Sequence, residues 1–541
     1  RELYGSARRL YDKDPISKGN EEALRVFGGG AFSTRHLNKT RGRTALSYMP
    51  QGIESAYLCA LDDGYCTDLR EESTTLCEKD FYGYYVSASQ NIVAAGNVVR
   101  AAGSAVGLGN IWRFPYLTGT YGGGAFLLVY VLICILIGFP LFTAEIGLGR
   151  KIKRTPIVGI REHTGGKTTP ANLIGWGGCT ACIVLMAYYM VIIGWMFAYA
   201  VESVQGAFHG ATPASTKAMF DELMRSPAKM AGYTLFVVFT LGITVTQGVK
   251  DGVERTCKFL LPILGIMLIV LAVNSAMIKP AVEGGKTALD GLKWYLTPDF
   301  SKITGQAILA ALGQSFFSIG IGISTAIVYG SYLKPDSNIP VDSCWVVSMD
   351  TGFAVIAGIV IFPALFCYGM DPTSRGFGLV FETLPIIFGK MAGGQFWGMM
   401  FFFLAALAGF TSGIGYLEAP AASFAEYFGI SRKKSTWGCL AVMFLLGIPS
   451  ILSLSAGSVW STYKIMDRSI FDFADHLSGD IMMPVDALLV ALYLTFVWKF
   501  ENYRDECNVG ATGLIRVATW WKPLVAYLIP LALLTILYRG L

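Results

Sequence analysis

The amino-acid sequence predicts an all-α integral membrane protein of about eleven transmembrane helices, organised as two inverted five-helix repeats. Of the 541 residues, 53% are hydrophobic and only 15% are charged, a composition outside the range of soluble globular proteins. Apolar stretches of roughly 20 residues, long enough to cross about 30 Å of hydrocarbon as helices, recur from residue 92 to the C-terminus. Two of these stretches are interrupted at corresponding places.

The predicted spans define the domain organisation. The eleven spans are 92–118, 123–149, 171–206, 230–248, 256–279, 306–333, 342–368, 396–428, 436–455, 470–499 and 520–539. Residues 89–541 form the membrane domain, with repeat one at about 92–279, repeat two at about 306–499 and an extra helix at about 520–539. Residues 1–88 are polar and lack apolar periodicity, so we expect a cytoplasmic, poorly ordered tail.

Basic residues in short loops predict the orientation of the spans. They follow the second, fourth and eighth spans: Arg150, Lys151, Lys153, Arg154, Arg161 and Lys167; Lys250, Arg255 and Lys258; Arg432, Lys433 and Lys434. Such loops are typically cytoplasmic, which places the N-terminus inside the cell in a multi-pass protein of the cell membrane. This bias accounts for most of the net charge of +5, so no nucleic-acid partner is predicted.

Two spans contain glycine-rich interruptions. The first reads GSAVGLGN at 103–110, and the sixth reads SIGIGIS at 318–324. A single interruption would usually reflect close helix packing. A pair, each in the first span of a five-span half, favours a transporter of inverted repeats with its binding site at unwound backbone. Freed carbonyl groups could bind a cation there, and freed N–H groups could bind a carboxylate.

Several motifs carry a resemblance to a known family. They are GSAVGLGNIWRFPYL at 103–117, GGGAFLLVY at 122–130, FPLFTAEIGLGR at 139–150, MAYY at 186–189, GVKDGVERTCKFLLP at 248–262, GQSFFSIGIG at 313–322, NIP at 338–340 and AGFTSGIGYLE at 408–418. In order and spacing the chain resembles the neurotransmitter:sodium symporter family, in its bacterial type, over residues 95–540. That family is itself a standard example of paired broken helices, so the paired interruptions and the resemblance are not independent observations.

The resemblance implies two sodium sites. Site one consists of the Ala105 carbonyl and the side chains of Asn110, Ser318 and Asp350, with the substrate carboxylate as a further ligand. Site two consists of the carbonyls of Gly103, Val106 and Ala408 and the hydroxyls of Thr411 and Ser412. Taken alone, the two hydroxyls would more often bond back to their own helix.

Two acids within the apolar spans are implied to have separate roles. Asp350 would supply the negative charge that chloride supplies in many animal relatives, where Tyr130, Gln314 and Ser318 match the surrounding positions, so chloride is not expected to be required. A buried carboxylate in a span is a functional residue by default. Glu145 is expected to brace the unwound first helix by accepting its backbone N–H groups.

The implied substrate is an amino acid. Relatives that carry monoamines have an aspartate where this chain has Gly107, so a substrate that brings its own carboxylate fits better, with Tyr189 donating to it. The implied substrate residues are Ser104, Gly107, Leu108, Gly109, Leu185, Tyr189, Phe317, Gly320, Ile323, Ser412 and Tyr416. Because this pocket is mostly apolar and Gly320 leaves it wide, we expect a large apolar or aromatic side chain.

The expected gate residues match the pattern of the family on the outer side only. Arg113 is expected to pair with Asp475 and to close the site from outside together with the rings of Phe317 and Tyr189. On the cytoplasmic side, Ala88–Asn91 replaces the arginine and tryptophan that usually form a latch, although the acid partner remains as Glu426. Arg100 lies one turn before Gly103, where its charge would weaken the second sodium site. Either Arg100 points into the cytoplasmic vestibule and pairs with an acid, or the second site is impaired.

The sequence therefore predicts sodium-coupled import of a neutral amino acid. Two sodium ions are expected to bind, and membrane lipid is expected to surround the protein. A substrate-gated receptor or channel on the same scaffold is the alternative. An enzyme is disfavoured, because GLGN lacks the third glycine and the preceding strand of a dinucleotide fingerprint, and four histidines form no metal motif. The oligomeric state is left open.

Overall fold

The computed structural model describes residues 105–248, 255–280, 285–373, 378–455, 457–511 and 514–540. Within these ranges the chain is helical, and extended pairing is limited to two isolated bridges, Gly123 with Pro298 and Ile465 with Arg468. Helices occupy all the predicted spans, wholly or in part, and are labelled α1 to α11 in chain order. The predicted all-α membrane class is therefore confirmed.

The helix bounds follow the predicted spans closely. The first half contains α1 (109–120), α2 (Gly124–Ile152), α3 (Asn172–Val204), α4 (Pro227–Thr246) and α5 (Arg255–Ala276). The second half contains α6a (Gly305–Ile319), α6b (Thr325–Ser331), α7 (Ile339–Cys367), α8 (Gly394–Phe428), α9 (Arg432–Leu454) and α10 (Ile470–Val497). The last helix is α11 (521–540), and the connecting helices are Pro156–His163, Pro213–Arg225, Ala288–Leu296, Phe300–Lys302, 379–390, Val459–Thr462 and Phe500–Asn508.

Eight of the described helices, α2 to α5 and α7 to α10, are long and apolar enough to cross a membrane by themselves. The other three predicted spans differ for separate reasons. The predicted α1 begins before the described residues, the sixth span is divided into α6a and α6b, and α11 has a shorter apolar stretch, Trp521–Thr535.

Polar side chains mark where several spans begin. Thr304 accepts a hydrogen bond from the first turn of α6a, Asn338 from that of α7, Ser431 from that of α9 and Ser469 from that of α10. The first N–H groups of a helix have no intrahelical partner, and such a cap contributes about 1 kcal/mol. These caps explain why the helix starts agree with the sequence.

Two helices form the centre of the domain and others face outward. The most apolar stretches of α3 and α8, which pack along each other, are 83% and 89% buried, whereas that of α5 is 28% buried. On α5, Phe259, Ile266 and Val273 are exposed. Exposed apolar side chains on a spanning helix are in contact with lipid, since water would disfavour them.

Glycine lets α2 and α6b approach to backbone contact. A Cβ atom at Gly149 of α2 would lie 2.0 Å from the Ile327 carbonyl oxygen, and one at Gly330 of α6b would lie 2.2 Å from that of Ile146. Side chains at either position would force the helices apart. This contact fixes the second interrupted helix against α2.

Candidate functional site

The sixth span is unwound between α6a and α6b. Gly320, Gly322 and Ser324 have φ angles of 78°, 77° and 60°, in the left-handed region that favours glycine. The N–H groups of Gly320 and Ile321 close the last turn of α6a by donating to the Phe316 carbonyl at 3.0 and 3.1 Å. The predicted break is therefore an interruption of the helix in the structure.

The first break is visible from Ala105 onward. Val106 and Gly107 are not helical, and a turn of π-helix over Gly109–Arg113 follows. The Gly107 N–H donates to Asn110 Oδ1 at 2.9 Å, and the Leu108 N–H donates to the Tyr189 hydroxyl at 3.2 Å. Side chains thus satisfy backbone N–H groups that the interruption leaves without helical partners.

The residues expected at sodium site one converge on Asp350. The Asn110 amide donates to the Asp350 carbonyl at 2.8 Å and to its Oδ1 at 2.7 Å, and the Ser318 hydroxyl donates to Oδ1 at 2.9 Å. These three side chains are at most 2% exposed. Ala105, five residues before Asn110, is 3% exposed. Asp350 Oδ2 has no hydrogen-bond partner among the described residues. The arrangement presents a buried carboxylate, a hydroxyl and an amide oxygen, which suit a hard cation.

The residues expected at sodium site two also come together. The Val106 carbonyl accepts hydrogen bonds from Thr411 at 3.3 Å and from Ser412 at 3.2 Å, and Thr411 also donates to the Ala408 carbonyl at 3.0 Å. Four oxygen atoms from the first break and from α8 therefore lie within one cluster. Hydroxyl groups that donate here can turn their lone pairs to a cation instead.

The expected carboxylate site lies between the first break, α3 and α8. A Cβ atom at Gly107 would lie 2.2 Å from Ser412 Oγ and 3.0 Å from the Tyr189 hydroxyl oxygen. The Tyr189 hydroxyl accepts from Leu108, so it retains its own proton for a second hydrogen bond. Gly107 is therefore required sterically, and the Tyr189 hydroxyl proton remains available at this point.

Aromatic rings and aliphatic side chains surround the rest of the expected substrate site. The rings of Tyr189 and Tyr416 meet edge to face at 5.6 Å, and the space above Gly320 is bordered by Ile323 and Tyr416. Phe317 packs against Gly109. The expected substrate residues within the described ranges are all buried: Gly107, Leu108, Gly109, Leu185, Tyr189, Phe317, Gly320, Ile323, Ser412 and Tyr416.

The structure places a second acid, Asp480, beside Arg113. The Arg113 guanidinium lies 3.9 Å from Asp480, one turn beyond Asp475 on α10, and 4.8 Å from the centroid of the Phe317 ring. Asp475 instead accepts a hydrogen bond from the Tyr188 hydroxyl at 2.8 Å. Asp475 is nevertheless close enough to Arg113 for the two charges to interact, so Arg113 lies between two acids, with its ion pair to Asp480.

The expected role of Glu145 also needs a correction. Its Oε1 accepts the N–H of Gly322 at 2.8 Å, so among the described residues it braces the break of the sixth span. The sequence-based expectation had assigned it to the first span. Since α2 packs against α6b through Gly149 and Gly330, its carboxylate reaches the break between α6a and α6b.

An ion pair connects the segment after α2 with the C-terminal part of α8. Arg154, after α2, lies 3.1 Å from Glu426 of α8, which also accepts the Thr155 N–H at 2.8 Å. Arg154 is also hydrogen-bonded to Glu162, and this bond holds the pKa of that exposed carboxyl below its usual range. The acid partner Glu426 therefore has a basic partner from a different segment.

Some expectations lie outside the described residues. They concern Gly103 of sodium site two, Ser104 of the substrate site, Arg100, the tail 1–88 and the Ala88–Asn91 stretch. Each remains a prediction from the sequence.

Three acids of the site region were missed by the sequence analysis. Asp480 pairs with Arg113. Glu418, fully buried in α8, binds Arg432 and accepts a hydrogen bond from Tyr332 at 2.7 Å. Asp486, 1% exposed, lies in the apolar segment MPVDALLVALYL of α10. A search for every acid inside an apolar span would have found the last two.

A helical membrane domain with two interrupted spans is typical of membrane transporters. The sequence profile of the Sodium:neurotransmitter symporter family matches residues 95–219 and 217–541, and the chain belongs to that family. It is a sodium-dependent membrane transporter and not an enzyme, as the sequence predicted.

Relatives and a solved structure agree with this assignment. The uncharacterized sodium-dependent transporter YhdH of Bacillus subtilis (strain 168) is 34% identical over 443 residues, which are 82% of this chain and 95% of that protein. The sodium- and chloride-dependent creatine transporter 1 of Bos taurus is 26% identical over 501 residues, 80% of this chain and 74% of that protein. The crystal structure of MhsT in complex with L-phenylalanine is similar with a TM-score of 0.74 and 34% identity, covering 82% of this chain and 98% of that chain.

Proposed function

We propose that this protein imports a neutral amino acid with a large apolar or aromatic side chain, together with two sodium ions, by alternating access. The observation that carries the proposal is the junction of Gly107, Tyr189 and Ser412 beside the Asp350 cluster. It combines the Tyr189 hydroxyl, which can donate to a carboxylate, with an acidic cation site that is joined to the first break through Asn110. A zwitterion and sodium ions match that charge pattern.

The sodium stoichiometry of two rests on two separate oxygen clusters. One gathers around Asp350 and the other around the Val106 carbonyl, with Thr411 and Ser412. Unwound backbone supplies carbonyl oxygens that a continuous helix would use internally. Arg100 precedes Gly103 by three residues in the sequence, and a positive charge at the second site would reduce sodium affinity there without removing its ligands.

Chloride independence is supported by the fixed charge of Asp350. Its carboxylate lies within hydrogen-bond distance of Ser318 and Asn110, so it can neutralise a cation at the same cluster. A mobile anion is unnecessary where a side chain already provides the compensating charge.

The preference for an aromatic or large apolar side chain is supported by the rings and the glycine at the break. Tyr416, Ile323 and Phe317 border the site, and Gly320 adds no side chain to it. The bound L-phenylalanine of the MhsT structure supports the same class. No described charge projects into this part of the site to select an acidic or basic side chain.

Alternating access would involve ion pairs at both ends. Arg113 with Asp480 and the Phe317 ring lies on one side of the site, and Arg154 with Glu426 lies on the other. In the proposed orientation, with a cytoplasmic N-terminus, the first group faces outward. Closing one group while the other opens would expose the site to each side in turn.

Uptake by purified protein in liposomes tests the proposal. An inward sodium gradient should drive labelled phenylalanine, tyrosine or leucine above its external concentration, and equal sodium on both sides should not. Amino-acid binding without uphill uptake, accompanied by an ion current, would instead favour the receptor or channel alternative.

A further inference from the structure

A histidine on α10 shares an acid with Arg113. His476 and Asp480 are four residues apart on this helix, and His476 Nδ1 lies 2.8 Å from Asp480 Oδ2. The other carboxylate oxygen of Asp480, Oδ1, lies 3.9 Å from the Arg113 guanidinium of α1. Asp480 therefore has two basic neighbours, one on its own helix and one on α1.

The contact with Asp480 decides which nitrogen of His476 carries the proton in the neutral ring. A carboxylate oxygen can only accept a hydrogen bond, so Nδ1 donates and Nε2 holds a lone pair. His476 Nε2 is buried and has no hydrogen-bond partner among the described residues. A second proton would bind to this nitrogen and would make the ring a cation in contact with Asp480.

The exposure of Asp480 gives protons a route to the ring. The His476 side chain is 5% exposed, but that of Asp480 is 43% exposed and that of Arg113 is 14% exposed. A proton that reaches the exposed carboxylate is one hydrogen bond away from the imidazole. Histidine is also the side chain whose charge ordinarily changes between pH 5 and 8.

The charged groups around the pair include more acids than bases. Arg113 is also close enough to Asp475 for their charges to interact, and Asp472, at the start of α10, is hydrogen-bonded to Ser469. One guanidinium thus faces the carboxylates of both Asp475 and Asp480. A cation on His476 would find compensating negative charge at this place.

The other side chains that face the pair are uncharged near neutral pH. Phenols and amides come from three elements, and α9 contacts the start of α10 through Ser453, within a stretch, 444–454, that has no titratable side chain. The Arg539 side chain of α11 lies outside the described residues. The phenols and the amide are Tyr116 of α1, Tyr188 of α3, Gln314 of α6a and the exposed Tyr538 of α11.

Separation of α1 from α10 would remove Arg113 from Asp480 but leave His476 in place. His476 and Asp480 are neighbours on one face of a single helix, so their contact does not depend on how α1 packs. Arg113 reaches Asp480 from α1 and contacts the Phe317 ring at 4.8 Å. The Arg113 charge therefore opposes a proton on His476 only while the two helices are together.

We propose that protonated His476 competes with Arg113 for Asp480, so that a proton from outside loosens the ion pair between α1 and α10. A ligand that binds one of two states more weakly shifts the equilibrium away from that state. External acid therefore favours the open outer side, and closing that side releases the proton outward. This inference rests on the outward-facing position of Arg113 in the proposed function.

Labelling of a cysteine on the outer side of the site tests the proposal in intact cells that express the full chain. Ile192 lies one turn beyond Tyr189 on the same face of α3 and is 0% exposed. Ile192→Cys should therefore react with a membrane-impermeant thiol reagent only while the outer side is open. Its rate is measured at about pH 5.5 and about pH 8, near the two ends of the range in which imidazole titrates, and the unaltered protein gives the background from its own cysteines.

His476→Asn is the matched variant for this measurement. The asparagine amide can donate to Asp480 as Nδ1 does, but it does not take up a proton in this range. Because thiol reactivity itself depends on pH, the rate for Ile192→Cys is divided at each pH by the rate for the double variant with His476→Asn. We expect a ratio of about one at the higher pH and of roughly three or more at the lower pH, since two like charges then repel.

Two further variants isolate the pair. His209→Asn removes an exposed histidine of the connection after α3 and should leave the pH dependence of Ile192→Cys labelling unchanged. Asp480→Asn removes the charge that Arg113 shares with His476, so labelling should already be fast at the higher pH and gain little in acid. This variant also tests the proposal if His476→Asn does not reach the membrane.

Three outcomes would overturn the proposal. One is the same ratio at both pH values, which would leave His476 with a packing role alone. Another is a ratio below one in acid, which would mean that protonated His476 holds the outer side closed. The third is labelling of Asp480→Asn as slow as that of Ile192→Cys alone at the higher pH.

This test and the uptake test fail separately. Labelling requires neither a sodium gradient nor an amino acid. Absence of sodium-driven uptake would therefore count against the proposed function, whereas a ratio that does not change with pH would count against the role of His476.

Discussion

Placing a carboxylate at position 107 should abolish amino-acid binding through charge repulsion. Gly107 lies beside the Tyr189 hydroxyl and Ser412 Oγ, at 3.0 and 2.2 Å from the place a Cβ atom would take. Any side chain there meets the same crowding. The informative comparison is therefore between Gly107→Asp and Gly107→Asn, which differ in charge and hardly in shape.

The magnitude follows from the distance between the two carboxylates. If Tyr189 donates to the substrate carboxylate, an aspartate at 107 lies about 4 Å from it, and like charges at that distance repel by about 4 kcal/mol at an effective dielectric constant of about 20. This corresponds to roughly a thousandfold loss of affinity relative to Gly107→Asn. Steric disturbance is common to both variants and cancels in the comparison.

The assay is equilibrium binding of labelled amino acid to purified protein at saturating sodium, with tryptamine and tyramine as competitors. The amines lack a carboxylate, so they should bind Gly107→Asp more tightly than Gly107→Asn, the reverse of the amino-acid order. Equal amino-acid affinities for the two variants would refute the reasoning, since residue 107 would then not face the substrate carboxylate.

Three further predictions concern the ion sites and the cytoplasmic end. Asp350→Ala should abolish sodium-dependent substrate binding, because it removes an ion ligand and its charge, whereas Asp350→Asn should be milder and gain a dependence on chloride; normal transport by correctly inserted Asp350→Ala would contradict the site. Replacing chloride by gluconate on both sides of vesicles should leave uptake by the unaltered protein unchanged, and a tenfold loss, about 1.4 kcal/mol if it lay in affinity, would count against this. Arg154→Gln and Glu426→Gln should each change stability only slightly, since the pair is partly exposed, and their effects on uptake should be less than additive in the double variant; fully additive effects would mean that the two residues do not act together.

Asp350 shows how much of the candidate site could be predicted from the sequence. An acid in an apolar run indicates function whatever its partners are, because burying a charge in a span is costly. Its contacts with Asn110 and Ser318 join residues 240 and 32 positions apart. The resemblance to relatives supplied that grouping, and local patterns could not have done so.

Glu145 and Arg113 show where the sequence missed contacts. Both were recognised as charged residues that need compensation, but their actual contacts are Gly322 and Asp480. Which backbone N–H or carboxylate lies within reach depends on helix rotation and on backbone approach at glycine contacts. These are tertiary properties, and a shift of one helical turn changes the partner.

The sequence by itself determined the membrane class, the spans and the two breaks, because hydrophobic length and glycine clusters act locally along the chain. Only the tertiary structure decided that Arg154 meets Glu426 and that Glu145 meets Gly322. Interactions between distant residues depend on how the helices pack in three dimensions, and side-chain contacts at their crossings are not encoded in the spacing of either segment alone.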